Sequence, residues 1–385
     1  MRHHVYLSPG MFGFGKLGSY DYFAHVEREL VDRFAAAGHE LFVHAIDELP
    51  TASIRRRATR LAEIVCATSS LDPIHLLGHS TGGLDARLVA SPATRGIPAT
   101  TLEWLPRLRS VTTMNTPHFG TPLAGFFATV NGQHVLAALS ILTVAGLSLG
   151  AQPLAAASVL LGFLRGADKA FPFKLQLLDR AVESVVGLVE DARSPEVRKF
   201  LDAIEDDQGS MLQLSPESMD LVVAGFADRD GVAYQSTVSM SPSPKGRRWL
   251  ETVGHPWRAV SLALFFALHR VTAVQNKRYP CAAMRRDAPW AGDETEAVLA
   301  RAFRAAPDLA ANDGVVPIRS QLHGALIWAG LGDHLDVLGH YRDRRDPAAV
   351  APELWHRDWL ASGSDFDDAA FSSLMDAIAT GMLAA

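Results

Sequence analysis

Along the first 120 residues, short apolar runs of strand length alternate with longer stretches of helical period. Residues 5–7 and 41–44 read as buried strands, and residues 22–37 between them carry an amphipathic helical pattern stopped by Gly38. Ser53 is placed to cap a helix that reaches about residue 68, with its arginines facing water. Residues 74–77 (Ile-His-Leu-Leu) suit a further strand, and Leu84, Leu88 and Val89 then mark one face of a helix. Strands and helices that alternate through short links predict a mostly parallel sheet with helices on both faces. Residues 109–114, 231–239 and 325–329 continue the strand pattern. Residues 257–274 read as an apolar helix, and 345–385 as two or three more. No internal repeat is evident.

From residue 124 to 164 the chain has no Asp, Glu, Lys or Arg. A membrane span needs about 20 unbroken apolar residues, whereas the run at 135–149 is stopped by Gly150 and Pro153. A buried helical pair is the plainer alternative. An insertion just after a strand of the sheet lies over its carboxyl edge, which favours an apolar helical cap, or lid, that swings away at a lipid surface. The expected division is a first core part at 1–122, a mostly helical cap at 123–230, a second core part at 231–345 with an insertion at about 245–305, and C-terminal helices at 346–385.

With 385 residues, 48% of them apolar and 20% charged, the chain can bury the core such a sheet requires. A net charge of −6 argues against a nucleic-acid partner. Cys66 and Cys281 form neither a metal-ligand pattern nor a disulfide framework. The first residues show no secretory signal, so a cytoplasmic location is expected.

The chemistry gathers at Gly78-His79-Ser80-Thr81-Gly82, between the 74–77 strand and its helix. That context turns Gly-x-Ser-x-Gly into a nucleophile elbow: the serine is pushed out at the carboxyl edge, and only small residues fit two places before and after it. A hydroxyl needs an imidazole to take its proton, and the imidazole needs a carboxylate to hold its tautomer. Downstream, Asp313 lies on the tight turn Asn312-Asp313-Gly314, and His334 follows the last strand. Both sit on loops after strands, which favours them over Asp228 and Asp230 as the acid and over His118, His323 and His340 as the base. The oxyanion of acyl transfer needs two backbone N–H groups. Thr81 supplies one, and Met11, in the glycine-rich loop after the first strand, the other. Phe12, His79 and His118 are the expected substrate contacts. The same loop contains Gly13-Phe-Gly15-Lys-Leu-Gly18, a dinucleotide fingerprint by its letters. However, Gly13 lies six residues past Leu7 with Pro9 between them, and no acid ends the second strand.

Together these motifs resemble the lid-bearing bacterial triacylglycerol lipases of the α/β-hydrolase superfamily. Residues 9–14 look like their oxyanion loop, with Pro9 where a histidine is usual, and residues 78–83 look like their elbow. Pro117-His118-x-Gly120 is similar to the loop before the lid, and Gly231-Val-x-Tyr234-x-Ser236 to a late strand. Asn312-Asp313-Gly314-x-Val316 resembles the acid turn, and His334-Leu335-Asp336 the histidine segment. The resemblance implies an α/β-hydrolase fold and cleavage of a small-molecule or lipid ester through an acyl-enzyme, with no cofactor required for the chemistry. It also implies transient contact with a lipid interface through the cap, and a structural calcium ion held by Asp336, with Asp287 or Asp293 as candidates for a second ligand. An acyltransferase or thioesterase on the same fold is the alternative. A non-enzymatic nucleotide- or lipid-binding protein is the more distant one.

Overall fold

The computed structural model describes residues 1–11, 16–17, 20–47, 51–127, 209–243, 256–274, 292–346, 350–351 and 354–385. The strands among them are β1 (Arg2–Ser8), β2 (Lys16–Leu17), β3 (Tyr20–Asp21), β4 (Glu40–Ala45), β5 (Ile74–His79), β6 (Leu108–Met114), β7 (Ala233–Met240) and β8 (Ala325–Leu331). The α-helices are α1 (Ala24–Ala36), α2 (Ile54–Thr68), α3 (Thr81–Ala90), α4 (Pro122–Phe127), α5 (Gly209–Gln213), α6 (Pro216–Ala224), α7 (Pro256–Thr272), α8 (Asp293–Ala302) and α9 (Asp368–Leu383). β2 and β3 pair as a short antiparallel ribbon. The other six strands form one parallel sheet in the order β4-β1-β5-β6-β7-β8, the arrangement of an α/β-hydrolase core.

Successive side chains of a strand point to opposite faces, and both faces of this sheet are covered. Val5 and Leu7 of β1 and Leu77 of β5 pack with Phe23, Val26, Leu30 and Phe34 near or on α1 and with Leu374, Ile378 and Met382 of α9. Tyr6, Ile74 and Leu76 face the other way, against Ala58, Leu61 and Val65 of α2 and Ala86 and Val89 of α3. Double coverage is why these strands read as unbroken apolar runs rather than as alternating ones. The Ser53 hydroxyl caps α2, accepting from the Arg56 N–H.

One expectation on α2 is corrected. Arg55 and Arg56 are exposed, but Arg57 is only 1% exposed. It lies three residues after Ile54 and four before Leu61, on the face that packs inward. Its guanidinium donates to Asp85 Oδ2 on α3 (Nε at 2.9 Å) and to the Pro9 carbonyl at 2.5 Å. The Ser8 hydroxyl donates to the same Asp85 oxygen at 3.0 Å. A buried ion pair therefore ties α2, α3 and the exit of β1 together.

Most of the predicted cap lies outside the described residues. Helices α4, α5 and α6 flank that stretch, and Ala124, Leu214 and Met219 pack with Ile54 and Leu84 beside Met11. Among the described residues of 346–385 there is one α-helix, α9, where two or three were expected. No helix among the described residues is long and apolar enough to cross a membrane.

Candidate active site

β1 lies between β4 and β5, so the chain runs outward in both directions from it. Loops at the carboxyl ends of such neighbouring strands diverge and leave a crevice. Ser80 stands there, directly after β5, with φ 53° and ψ −126°. A non-glycine residue held in such a region costs about 1–3 kcal/mol and persists only where its surroundings enforce it. The enforcement here is local: the Ser80 N–H donates to the Met114 carbonyl at 2.8 Å, and the Gly83 N–H to the Ser80 carbonyl at 3.1 Å. A Cβ on Gly82 would stand 2.0 Å from the Ser8 carbonyl oxygen, and one on Gly78 2.2 Å from the Gly82 carbonyl carbon. The elbow thus needs glycine on both sides. Thr81 opens α3, whose N-terminal dipole points to the same place.

His334 and Asp313 meet across the end of β8. Imidazole Nδ1 lies 2.7 Å from Asp313 Oδ2. An ionised carboxylate only accepts, so Nδ1 carries the proton and Nε2 is left as the basic nitrogen. Asp313 is fully buried. Its Oδ1 accepts from the Val315 and Val316 N–H groups at 2.9 and 2.7 Å, and its Oδ2 also accepts from Asn115 Nδ2 at 2.9 Å. The His334 N–H donates in turn to the Asp313 carbonyl at 3.0 Å, locking the two loops together. Among the described residues, the Ser80 hydroxyl makes no hydrogen bond to His334.

His79 supplies the link between the elbow and the histidine loop. Its Nε2 lies 2.9 Å from the His334 carbonyl oxygen, which can only accept, so Nε2 donates. Nδ1 is then an acceptor for the Tyr22 hydroxyl at 2.7 Å, and that oxygen accepts from the Gly10 N–H at 3.3 Å. The His79 and His334 rings stand 4.7 Å apart. Burial, and then the neighbouring His334, hold His79 well below the usual histidine range, which keeps it neutral. The chain Gly10–Tyr22–His79–His334 ties the loop after β1 to the loop after β8. Gly10 itself packs on Ser80, since a Cβ there would lie 2.7 Å from the Ser80 Cβ.

The other expected residues fall as follows. Met11 is partly buried beside Leu84, and Thr81 is buried. Phe12 and the three glycines of the dinucleotide-like run lie outside the described residues. His79 and His118, expected to touch substrate, are fully buried with both ring nitrogens engaged, His118 with Arg87 at 3.0 Å and Thr113 at 3.1 Å. Neither presents a polar ring atom to a substrate. His323 and Asp228, the rival base and acid, pair with each other at 3.0 Å. They do so before β8 and β7, whereas His334 follows β8. A seven-residue strand spans roughly 20 Å, which puts this second pair at the far edge of the sheet. Asp230 is exposed, and His340 is buried facing His25 and Trp359.

Asp336 is turned into its own loop. Its Oδ2 accepts from the Asp333 N–H at 2.7 Å and the Ser364 hydroxyl at 2.6 Å. Burial, and then the nearby Asp333 carboxyl, push Asp336 well above the usual carboxylate range, and burial holds Asp333 at about 7. Among the described residues, no three acidic, histidine or cysteine side chains converge on a point that could hold a metal ion. Of the calcium candidates, Asp293 is exposed in the first turn of α8, and Asp287 lies outside the described residues. The described residues do not fit a calcium ion.

Tyr22, Asn115, Arg57 and Asp85 contribute to the site although their local sequence carries no catalytic signal. Only the period of α2 could have pointed to Arg57.

No family model and no curated protein matches the chain. Among solved structures, the chain is similar to EstA from Clostridium botulinum, with TM-score 0.48 and 16% identity, over 96% of this chain and 87% of that one. It is similar to Staphylococcus hyicus lipase, with TM-score 0.47 and 14% identity, over 99% of this chain and 96% of that one. It is also similar to lipase 1 from Pelosinus fermentans, with TM-score 0.46 and 15% identity, over 94% and 97%.

Proposed function

We propose that the chain is a serine carboxylic-ester hydrolase acting on small-molecule or lipid esters. Ser80 Oγ attacks the ester carbonyl carbon while His334 Nε2 takes its proton. Asp313 holds the imidazole in its tautomer and stabilises the imidazolium. The N–H groups of Met11 and Thr81 receive the oxyanion. The tetrahedral intermediate collapses, the alcohol leaves with the proton from His334, and an acyl-enzyme remains on Ser80. Water, deprotonated by His334, then releases the acid and restores the serine.

The observation that carries this reading is the buried Asp313–His334 pair at 2.7 Å, joined through His79 to a strained serine elbow at the carboxyl edge of the sheet. The calcium ion that the family resemblance suggests has no part in it. In the test, Ser80→Ala should lower kcat on a p-nitrophenyl ester by about three orders of magnitude or more. It should also abolish labelling by a fluorophosphonate. Wild-type turnover by Ser80→Ala would overturn the assignment.

A further inference from the structure

We propose that Asn115 is the positioning residue for the acid of the site, an inference that rests on the hydrolase reading above. Asn115 directly follows β6 and is fully buried, with φ 50°. That is the left-handed region, which glycine enters without penalty and asparagine more readily than other side chains. Its amide nitrogen donates to Asp313 Oδ2 at 2.9 Å and to Ser239 Oγ at 2.5 Å. The orientation is fixed by charge, because a flipped amide would set its carbonyl oxygen against a carboxylate oxygen. As a result Asn115 Oδ1 is buried with no hydrogen-bond partner among the described residues.

A left-handed backbone and an unpaired buried carbonyl are both unfavourable, and an unsatisfied buried group in a folded protein calls for an explanation. Glycine would make the same turn with neither penalty. What glycine lacks is the amide, and the amide completes the acid. Two N–H groups already occupy Asp313 Oδ1, and His334 and Asn115 occupy Oδ2. With every lone pair engaged, the carboxylate has one orientation, and that orientation points Oδ2 at the imidazole. Ser239 is fixed in turn: its N–H donates to Gln321 Oε1, and Gln321 Nε2 donates to the Ser239 and Val316 carbonyls. The end of β7 is thereby clamped to the turn that carries Asp313.

The experiment compares Asn115→Gly and Ser239→Ala with the wild-type chain in ester turnover and thermal melting. Asn115→Gly should stay folded and keep KM. Its kcat should fall about ten- to a hundredfold, the range carried by a hydrogen bond to a charged group. A residue that only makes the turn would leave kcat within about twofold of wild type when replaced by glycine, and that result overturns the proposal. Ser239→Ala leaves the Asn115 backbone intact and should lower kcat several-fold at unchanged KM. If the glycine variant does not fold, an unchanged kcat in Ser239→Ala overturns the proposal instead. Loss of Ser80 dependence in the wild-type chain would defeat the hydrolase reading, whereas the outcomes above defeat only the role of Asn115.

Discussion

Replacing Arg57 with methionine removes the cation of a pair whose two side chains are both 0% exposed. Asp85 would then keep one donor, the Ser8 hydroxyl, on Oδ2, while its Oδ1 already lacks a partner among the described residues. Burial pushes the Asp85 carboxyl up and Arg57 pulls it back down, so the variant strands an acid that water cannot reach. Breaking one side of a buried ion pair costs about 3–5 kcal/mol, a large part of a total stability of about 5–15 kcal/mol. The double variant Arg57→Met/Asp85→Leu leaves no buried charge and should recover most of that loss, because apolar replacements of buried pairs are often neutral. Activity should not recover with it. The Pro9 carbonyl has lost its guanidinium donor, so the loop that carries Met11 is no longer tied to α2. Urea midpoints and kcat on a p-nitrophenyl ester separate the two effects. The reasoning fails if Arg57→Met unfolds within about 1 kcal/mol of wild type, the scale of an exposed pair. It also fails if the double variant regains both stability and wild-type kcat.

Two further outcomes follow from buried ionisable groups. A line of imidazoles crosses the amino edge of the sheet: His39 Nδ1 to His3 Nε2 at 2.8 Å, His3 Nδ1 to His75 Nε2 at 3.0 Å, and His75 Nδ1 to Ser110 Oγ at 2.8 Å. Burial, and then His3, hold His75 down to about 3, and burial, followed by His356, does the same for His25. The unfolded chain binds protons there below about pH 6.5 while the folded chain refuses them, so each such histidine removes roughly 1.4 kcal/mol per pH unit between those limits. Asp333, held at about 7, and Asp336, pushed well above the usual carboxylate range, work in the opposite sense, retaining protons that the unfolded chain releases. Burial also keeps His79, His118 and His340 well below the histidine range, so the loss outweighs this offset. Urea midpoints should fall from pH 7 to about 5.5, and His75→Gln should flatten the slope by about one proton; a flat wild-type profile would contradict this. Since the Asp336 carboxylate serves its own loop, a chelator should leave the melting temperature unmoved. A drop of several degrees would restore the calcium reading, because a bound ion stabilises by mass action.

What the sequence determined is short-range. The serine elbow is legible because its requirement for small residues acts within five positions, Gly78 to Gly82, and the strand and helix on either side can be read from their own periods. The turn at Asp313 is legible for the same reason, since its carboxylate caps the N–H groups of Val315 and Val316 two and three residues on. His334 could be preferred to His323 once β8 was recognised, because they lie beyond opposite ends of one strand. Tertiary structure alone decided which charged and polar groups face inward. Arg57 meets Asp85 across 28 residues, Tyr22 meets His79 across 57, and Asn115 meets Asp313 across 198. A charged residue on an amphipathic helix and an asparagine after a strand are ordinary surface features until another part of the chain covers them. Burial then makes a partner obligatory, because an unpaired polar group out of water is far more costly than one left in it. That partner is set by the packing of the sheet and not by neighbours along the chain.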